Sequence, residues 1–372
     1  MNTMNKKKVL FILHIPPPVN GAAIMGQYIR DSTVINTNFE AVYINLTSSF
    51  TLDQIGKGSF HKLGIVFKIL KKTYKALRKH SFDLCYVSLT AKGAGFYKDF
   101  LVVCFLKIFK QKIVYHFHNK GVKEFSAHKL NYLLYRFVFK NTKSVLLSPR
   151  LYADIAPFVQ EHNVYYCPNG IASTPLLQSD TALLKKDNSV CQFLFLSNMM
   201  KEKGVLQLLK ACHLLKRRNV PFECHFIGAW SDISKDYFEN EVAALGISNE
   251  IFAHGKKYNE DKLEFFKKAD VFVFPTYYHN ETFGLVILEA MQAGLPVIST
   301  YEGGIPDVVV DGETGILVEQ RNAAMLAEKM EFLSKSPETR KKMGMAGKKR
   351  FLQLFQLSIF ENCLTNLLDD IT

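Results

Sequence analysis

Two successive series of short apolar runs, each run followed by a helical pattern, constrain this chain more than any other feature. In the first series, residues 9–15, 41–45, 83–88, 112–117, 144–148 and 164–167 read as strands. Helical segments at 26–31, 64–79, 97–109 and 127–140 lie between them. After Pro168-Asn169-Gly170 the alternation restarts, with strands at 192–196, 223–227, 251–253, 271–274, 296–299 and 315–317. The runs are continuously apolar rather than alternating, so these strands are buried on both faces, as in parallel sheets covered by helices. The class is α/β with two Rossmann-like domains, and 372 residues is long for one core. The domains are placed at 1–168 and 169–352, and the amphipathic end, 353–372, reads as a closing helix. The polar stretch 175–189 has no period and reads as linker.

Charge separates the two halves. Residues 1–167 hold 24 Lys/Arg against 8 Asp/Glu, while residues 168–372 hold 23 against 26. A basic first half beside a near-neutral second points to an anionic partner for the first alone. Nucleic acid is disfavoured, since no basic-plus-aromatic binding motif accompanies the charge. An anionic membrane surface remains. The seven cysteines form no CxxC pair and sit in apolar company, as reduced core thiols of a cytosolic protein do. The start, MNTMNKKKVLFILHIPPP, has the outline of a signal peptide, but its apolar run is short, holds His14 and ends in prolines. A buried first strand fits better. No apolar stretch approaches the ~20 residues that span a bilayer.

The most informative segment is YYHNETFGLVILEAMQAGLPVIST, residues 277–300. A strand at 271–275 leads through a loop into a helical pattern at 283–293, which Gly294-Leu295-Pro296 ends. Glu281 then precedes the helix and Glu289 lies two turns inside it. Phe283, Gly284 and Leu285 fall at the helix N-terminus, where unpaired N–H groups and the positive dipole end suit a diphosphate. Glu281 could simply cap the helix. Glu289, set in LVILEAM, needs a partner, and a carboxylate accepts paired hydroxyls well. Hydroxyls plus phosphate describe a nucleotide sugar.

E-x7-E, followed by AGLPVIST and GGIPDVVVDGETGILV, resembles the retaining glycosyltransferases of family 4. The resemblance is strong over 192–320 and extends more loosely over most of the chain. FLSNMMKEKG (195–204) resembles the family's phosphate-binding segment and CPNGI (167–171) its interdomain motif. PPPVNGAAIMG (16–26) resembles its glycine loop, and YHFHN (115–119) its active-site histidine strand. The resemblance implies the GT-B fold: two Rossmann-like domains facing a central cleft, with the C-terminal helix returning to the first. By the same resemblance, Glu289 holds ribose hydroxyls, Glu281 contacts the donor hexose, and Lys203 neutralises the leaving diphosphate. Gly21 and Ala22 face the phosphates from the first domain, and Gly228 and Lys256 line the nucleotide end. His118, ending a strand, sits beside the reacting sugar, with His116 deeper in that strand. One departure stands out: Ser197-Asn198 replaces the family's Gly-Arg, so the phosphate site lacks a charge.

The implied reaction is transfer with retention by front-face attack. No D-x-D triplet occurs, so no metal and no other cofactor is expected. The implied partners are a UDP-linked donor and a saccharide acceptor, lipid-linked, in bacterial surface-polysaccharide synthesis. Two other classes fit in outline: a nucleotide-sugar 2-epimerase, or a transferase-like subunit with a decayed site. Residues 64–80, GIVFKILKKTYKALRKH, read as a basic helix. Val66, Phe67, Leu70, Tyr74 and Leu77 would pack on the sheet, and Lys68, Lys71, Lys72, Lys75 and Lys79 would meet an anionic leaflet.

Overall fold

The computed structural model describes residues 6–47, 60–174, 190–257 and 259–372. The linker reading at 175–189 lies outside them. The chain separates into two units, Met1–Asn169 with Leu357–Thr372, and Gly170–Gln356. The divisions therefore fall after Asn169 and Gln356 rather than after 168 and 352.

In the first unit, β1 (Lys8–Leu13), β2 (Glu40–Asn45), β3 (Leu84–Ser88), β4 (Ile113–His116), β5 (Lys143–Leu146) and β6 (Val164–Tyr166) form a parallel sheet ordered β2-β1-β3-β4-β5-β6. The runs VLFIL and LCYVS are buried throughout, as strands covered on both faces require. Register follows, with Val9 opposite both Ala41 and Leu84. The closing helix, Leu357–Ile371, is part of this unit and packs on the Thr33–Asn38 helix.

The second unit repeats the scheme with β7 (Cys191–Leu196), β8 (Phe222–Ile227), β9 (Ile251–Ala253), β10 (Val271–Val273), β11 (Val297–Thr300) and β12 (Gly315–Val318). Their order is β12-β11-β10-β7-β8-β9, again all parallel. Strand order reverses between β1 and β3 in one sheet and between β7 and β10 in the other. Open α/β sheets bind ligands beyond the carboxyl ends of strands at such points.

Several local expectations need correction. The first helix starts at Gly21, not near Gly26, because the Asn20 side chain accepts the Ala23 N–H and caps it. Gly21 and Ala22 therefore lie in a helical first turn rather than a glycine loop. β4 ends at His116, so His118 sits two residues beyond the strand. The helix after β10 spans Leu285–Gln292, because Gly284 holds φ +75, outside the helical range. Glu289 is thus about one turn inside it, not two.

The Phe60–Lys79 helix is rotated from the expected orientation. Ile69, Thr73 and Leu77 face the sheet, while Phe67 and Tyr74 are exposed beside the lysines. The helix carries apolar residues on more than one face, so period alone could not choose the buried one.

Candidate active site

The second unit's site forms where β7 and β10 end. After β7 the chain makes a single turn, Lys201–Lys203, closed by Gly204 at φ +86. A side chain at Gly204 would overlap the Pro275 carbonyl, so glycine permits this turn to lie on the end of β10. The Tyr277 N–H donates to the Glu202 carbonyl (2.8 Å), pinning the two loops together. Lys203 Nζ then reaches Glu281 Oε2 at 2.6 Å, with the two side chains only 14% and 12% exposed. The Tyr278 and Phe274 rings also face the ammonium, at 4.3 and 5.5 Å from their centroids. Two residues separated by 78 positions thus make one ion pair across the switch point.

Phe283, Gly284 and Leu285 follow at the mouth of the next helix. The Phe283 side chain is core, edge-on to Phe355, so only its backbone is available to a ligand. One turn on, Glu289 Oε1 accepts from Lys262 at 2.8 Å. Its other oxygen, Oε2, is buried and accepts no hydrogen bond among the described residues. A buried carboxylate oxygen left so is costly and calls for a donor. Lys262 was not a sequence candidate, since nothing in its helix distinguishes it from neighbouring lysines.

Asn198, Gly228 and Lys256 sit at the ends of β7, β8 and β9. Gly228 lies so close to the Ser197 carbonyl that no side chain fits, and its N–H donates to Gly255 (3.0 Å). Asn198 and Lys256 are exposed.

In the first unit the corresponding edge carries a histidine cluster. The His116 and His118 rings lie 4.3 Å apart, and His116 Nδ1 meets the Tyr86 hydroxyl at 2.5 Å. Burial, and after it the His14 ring, pull His118 down to about 3. Burial and then His118 push His116 well below its usual value. His14 stands at the end of β1, its Nε2 3.3 Å from Thr90 Oγ1 and 3.8 Å from Asp99 Oδ2. Burial would raise the Asp99 carboxyl, but Lys98 at 3.2 Å, then His14 and Thr90, hold it at about 2. His14, Tyr86, Thr90 and Asp99 were not sequence candidates. Each is one residue in a different element, with no local pattern to mark it. A 460 Å³ cavity opens nearby, lined by Lys92, Tyr97, Glu124, Phe125, His128 and Asn131. Among the described residues no group of three His, Cys, Asp or Glu is placed to hold a metal ion.

Two Rossmann-like units, each built on a six-stranded parallel sheet, make up the GT-B fold. The chain superposes on Anabaena Alr3699/HepE in complex with UDP and glucose with a TM-score of 0.71, covering 98% of this chain and 99% of that one at 16% identity. Residues 181–350 match the family described as glycosyl transferases group 1. Over 155 residues the chain is 35% identical to a D-inositol 3-phosphate glycosyltransferase of Arthrobacter sp. (strain FB24), covering 41% of this chain. Over 176 residues it is 31% identical to the capsular polysaccharide biosynthesis glycosyltransferase CapM of Staphylococcus aureus, covering 47%. The matched stretch spans only 36% and 44% of those two proteins.

Proposed function

We propose that this protein is a retaining, metal-independent glycosyltransferase that moves a hexosyl or N-acetylhexosaminyl group from a UDP-sugar to a lipid-linked saccharide. Its setting is surface-polysaccharide synthesis at the cytoplasmic side of the membrane. The observation that carries this reading is the Lys203–Glu281 ion pair, which joins the ends of β7 and β10 at the switch point. The likeness to CapM supports the polysaccharide setting, and the fold shared with a UDP-bound protein supports the donor.

Each residue has a task in this scheme. The diphosphate lies at the Gly284–Leu285 helix N-terminus, and Lys203 supplies the cation opposite the leaving charge. Lys203 leaves Glu281 for the phosphate, and Glu281 is released to bind the sugar hydroxyls. Glu289 Oε2 takes a ribose hydroxyl as the donor it lacks. The acceptor oxygen bonds to the anomeric carbon from the side on which the carbon–phosphate oxygen bond breaks. The bonding pair departs with the diphosphate, and a phosphate oxygen takes the acceptor proton. His118, neutral at all physiological pH because of its burial, faces a cationic sugar without repelling it.

Thermal shift with UDP-, GDP- and ADP-sugars tests the donor, and UDP-sugars should give the largest stabilisation. Glu289→Ala should weaken UDP binding by at least about tenfold, the loss of one charge-assisted hydrogen bond. Equal UDP affinity in Glu289→Ala and wild type would remove the ribose assignment. Conversion of the donor to an epimer without any acceptor would instead favour the 2-epimerase class.

A further inference from the structure

In the first sheet the connections β2 to β3, β3 to β4 and β4 to β5 all run in one direction. Right-handed crossovers therefore place the Phe60–Lys79, Gly93–Ile108 and Lys129–Phe139 helices on one face, with the β1-to-β2 helices on the other. The three lie side by side: Tyr74 meets Phe109 at 5.9 Å between ring centroids, and Phe100 meets Phe137 at 5.8 Å.

The outer surface of this layer is apolar where a water-facing surface should not be. Phe67 is 68% exposed, Ile108 73% and Leu133 58%, with Tyr74, Tyr97, Leu101, Leu130 and Phe137 also exposed. The Lys129–Phe139 helix is partly inside out, burying Asn131 while presenting Leu130, Leu133 and Phe137. Gly93–Ile108 is apolar nearly all round, the pattern of a helix covered on every side. Contiguous apolar patches on soluble proteins mark interaction surfaces.

Charge narrows the partner. Across the three helices the only acidic residue is Asp99, which is fully buried, so every exposed charge is Lys or Arg. Lys68, Lys71, Lys72 and Lys75 surround Phe67 and Tyr74, and Lys107 lies over the Phe137 ring. Burial and the neighbouring Lys140 charge hold the Lys107 ammonium down to about 8, so a nearby anion would relieve that crowding. A second copy of this face would repel it. A nucleic acid would pair the lysines but leave the leucines, Ile108 and Phe137 in water.

We infer that the outer face of these three helices docks on an anionic lipid bilayer, with Phe67, Leu101, Ile108, Leu133 and Phe137 entering the headgroup layer among the basic side chains. Tyr97 belongs to this face and also lines the 460 Å³ cavity, so a saccharide carried on a membrane lipid would be presented at the cavity mouth. The inference extends the proposed function but stands apart from it, because vesicle binding and UDP binding are measured independently.

The test is co-sedimentation with vesicles of phosphatidylcholine containing phosphatidylglycerol, against phosphatidylcholine alone. Wild type should bind the anionic vesicles and not the neutral ones. The quadruple variant Lys68→Glu, Lys71→Glu, Lys72→Glu, Lys75→Glu should lose at least about a hundredfold in affinity, since each basic residue near a leaflet contributes about fivefold. Leu101→Ser with Leu133→Ser should keep the low-salt encounter yet release at 0.5 M NaCl, because the apolar share is then missing. Circular dichroism and UDP binding should match wild type in both variants. Failure of wild type to bind anionic vesicles at low salt would overturn the proposal. So would equal binding by the quadruple variant, or a concentration-dependent dimer that the apolar variant abolishes.

Discussion

Lys203→Ala is expected to lower the transfer rate by at least about a hundredfold, the scale of losing one preorganised charge on a leaving group. The position of the arginine in the resembled family is occupied here by Asn198, which is exposed and carries no charge. The same change strands the Glu281 carboxylate in a setting only 12% exposed, which should destabilise the second unit by about 3 kcal/mol. These two effects separate in a double-mutant cycle. Glu281→Gln should restore much of the stability of Lys203→Ala while restoring none of its rate. Glu281→Gln alone should reduce turnover more than UDP affinity if its proposed sugar contact strengthens in the transition state. Asn198→Arg in the Lys203→Ala background should recover part of the rate if the two positions share one phosphate. A Lys203→Ala protein with full rate would place the diphosphate elsewhere.

The fold was legible because continuous apolar runs such as VLFIL, VFV and VIST admit few alternatives to central parallel strands. Lys203 and Glu281 were candidates only through resemblance, and their pairing with each other was not expected. Nothing in the spacing of Lys203 and Glu281 reveals that Gly204 lets one loop settle on Pro275. The Lys262 partner of Glu289 and the His14–Thr90–Asp99 group were invisible for a related reason. Their members come from different elements, and only the sheet order brings those elements together. The Phe60–Lys79 helix failed differently: two helical faces were apolar, and burial selected the one carrying Thr73, whose hydroxyl is satisfied by the Ile69 carbonyl at 3.0 Å.

Acid should destabilise the first unit well above the range in which carboxylates titrate. His116 is buried, His118 is half-buried, and both are held below their ordinary value of 6.5. The unfolded chain takes up protons on them below pH 6.5 while the folded chain stays neutral there. Stability is therefore fully present above pH 6.5 and falls as pH falls, continuing towards pH 3 for His118. Each such histidine approaches about 1.4 kcal/mol per pH unit, so the pair should cost about 3 kcal/mol between pH 6.5 and 5. Asp99, held at about 2, adds a loss of the same sign only below about pH 4. Unfolding followed through a first-unit probe at pH 6.5 and 5 measures the effect, since two units need not unfold together. His118→Gln should roughly halve the slope, and should lower the transfer rate without changing UDP affinity if its neutral ring faces the sugar as proposed. A stability flat from pH 6.5 to 5 would mean that these rings open to water. The neutral imidazole proposed beside the cationic sugar would then be lost with them.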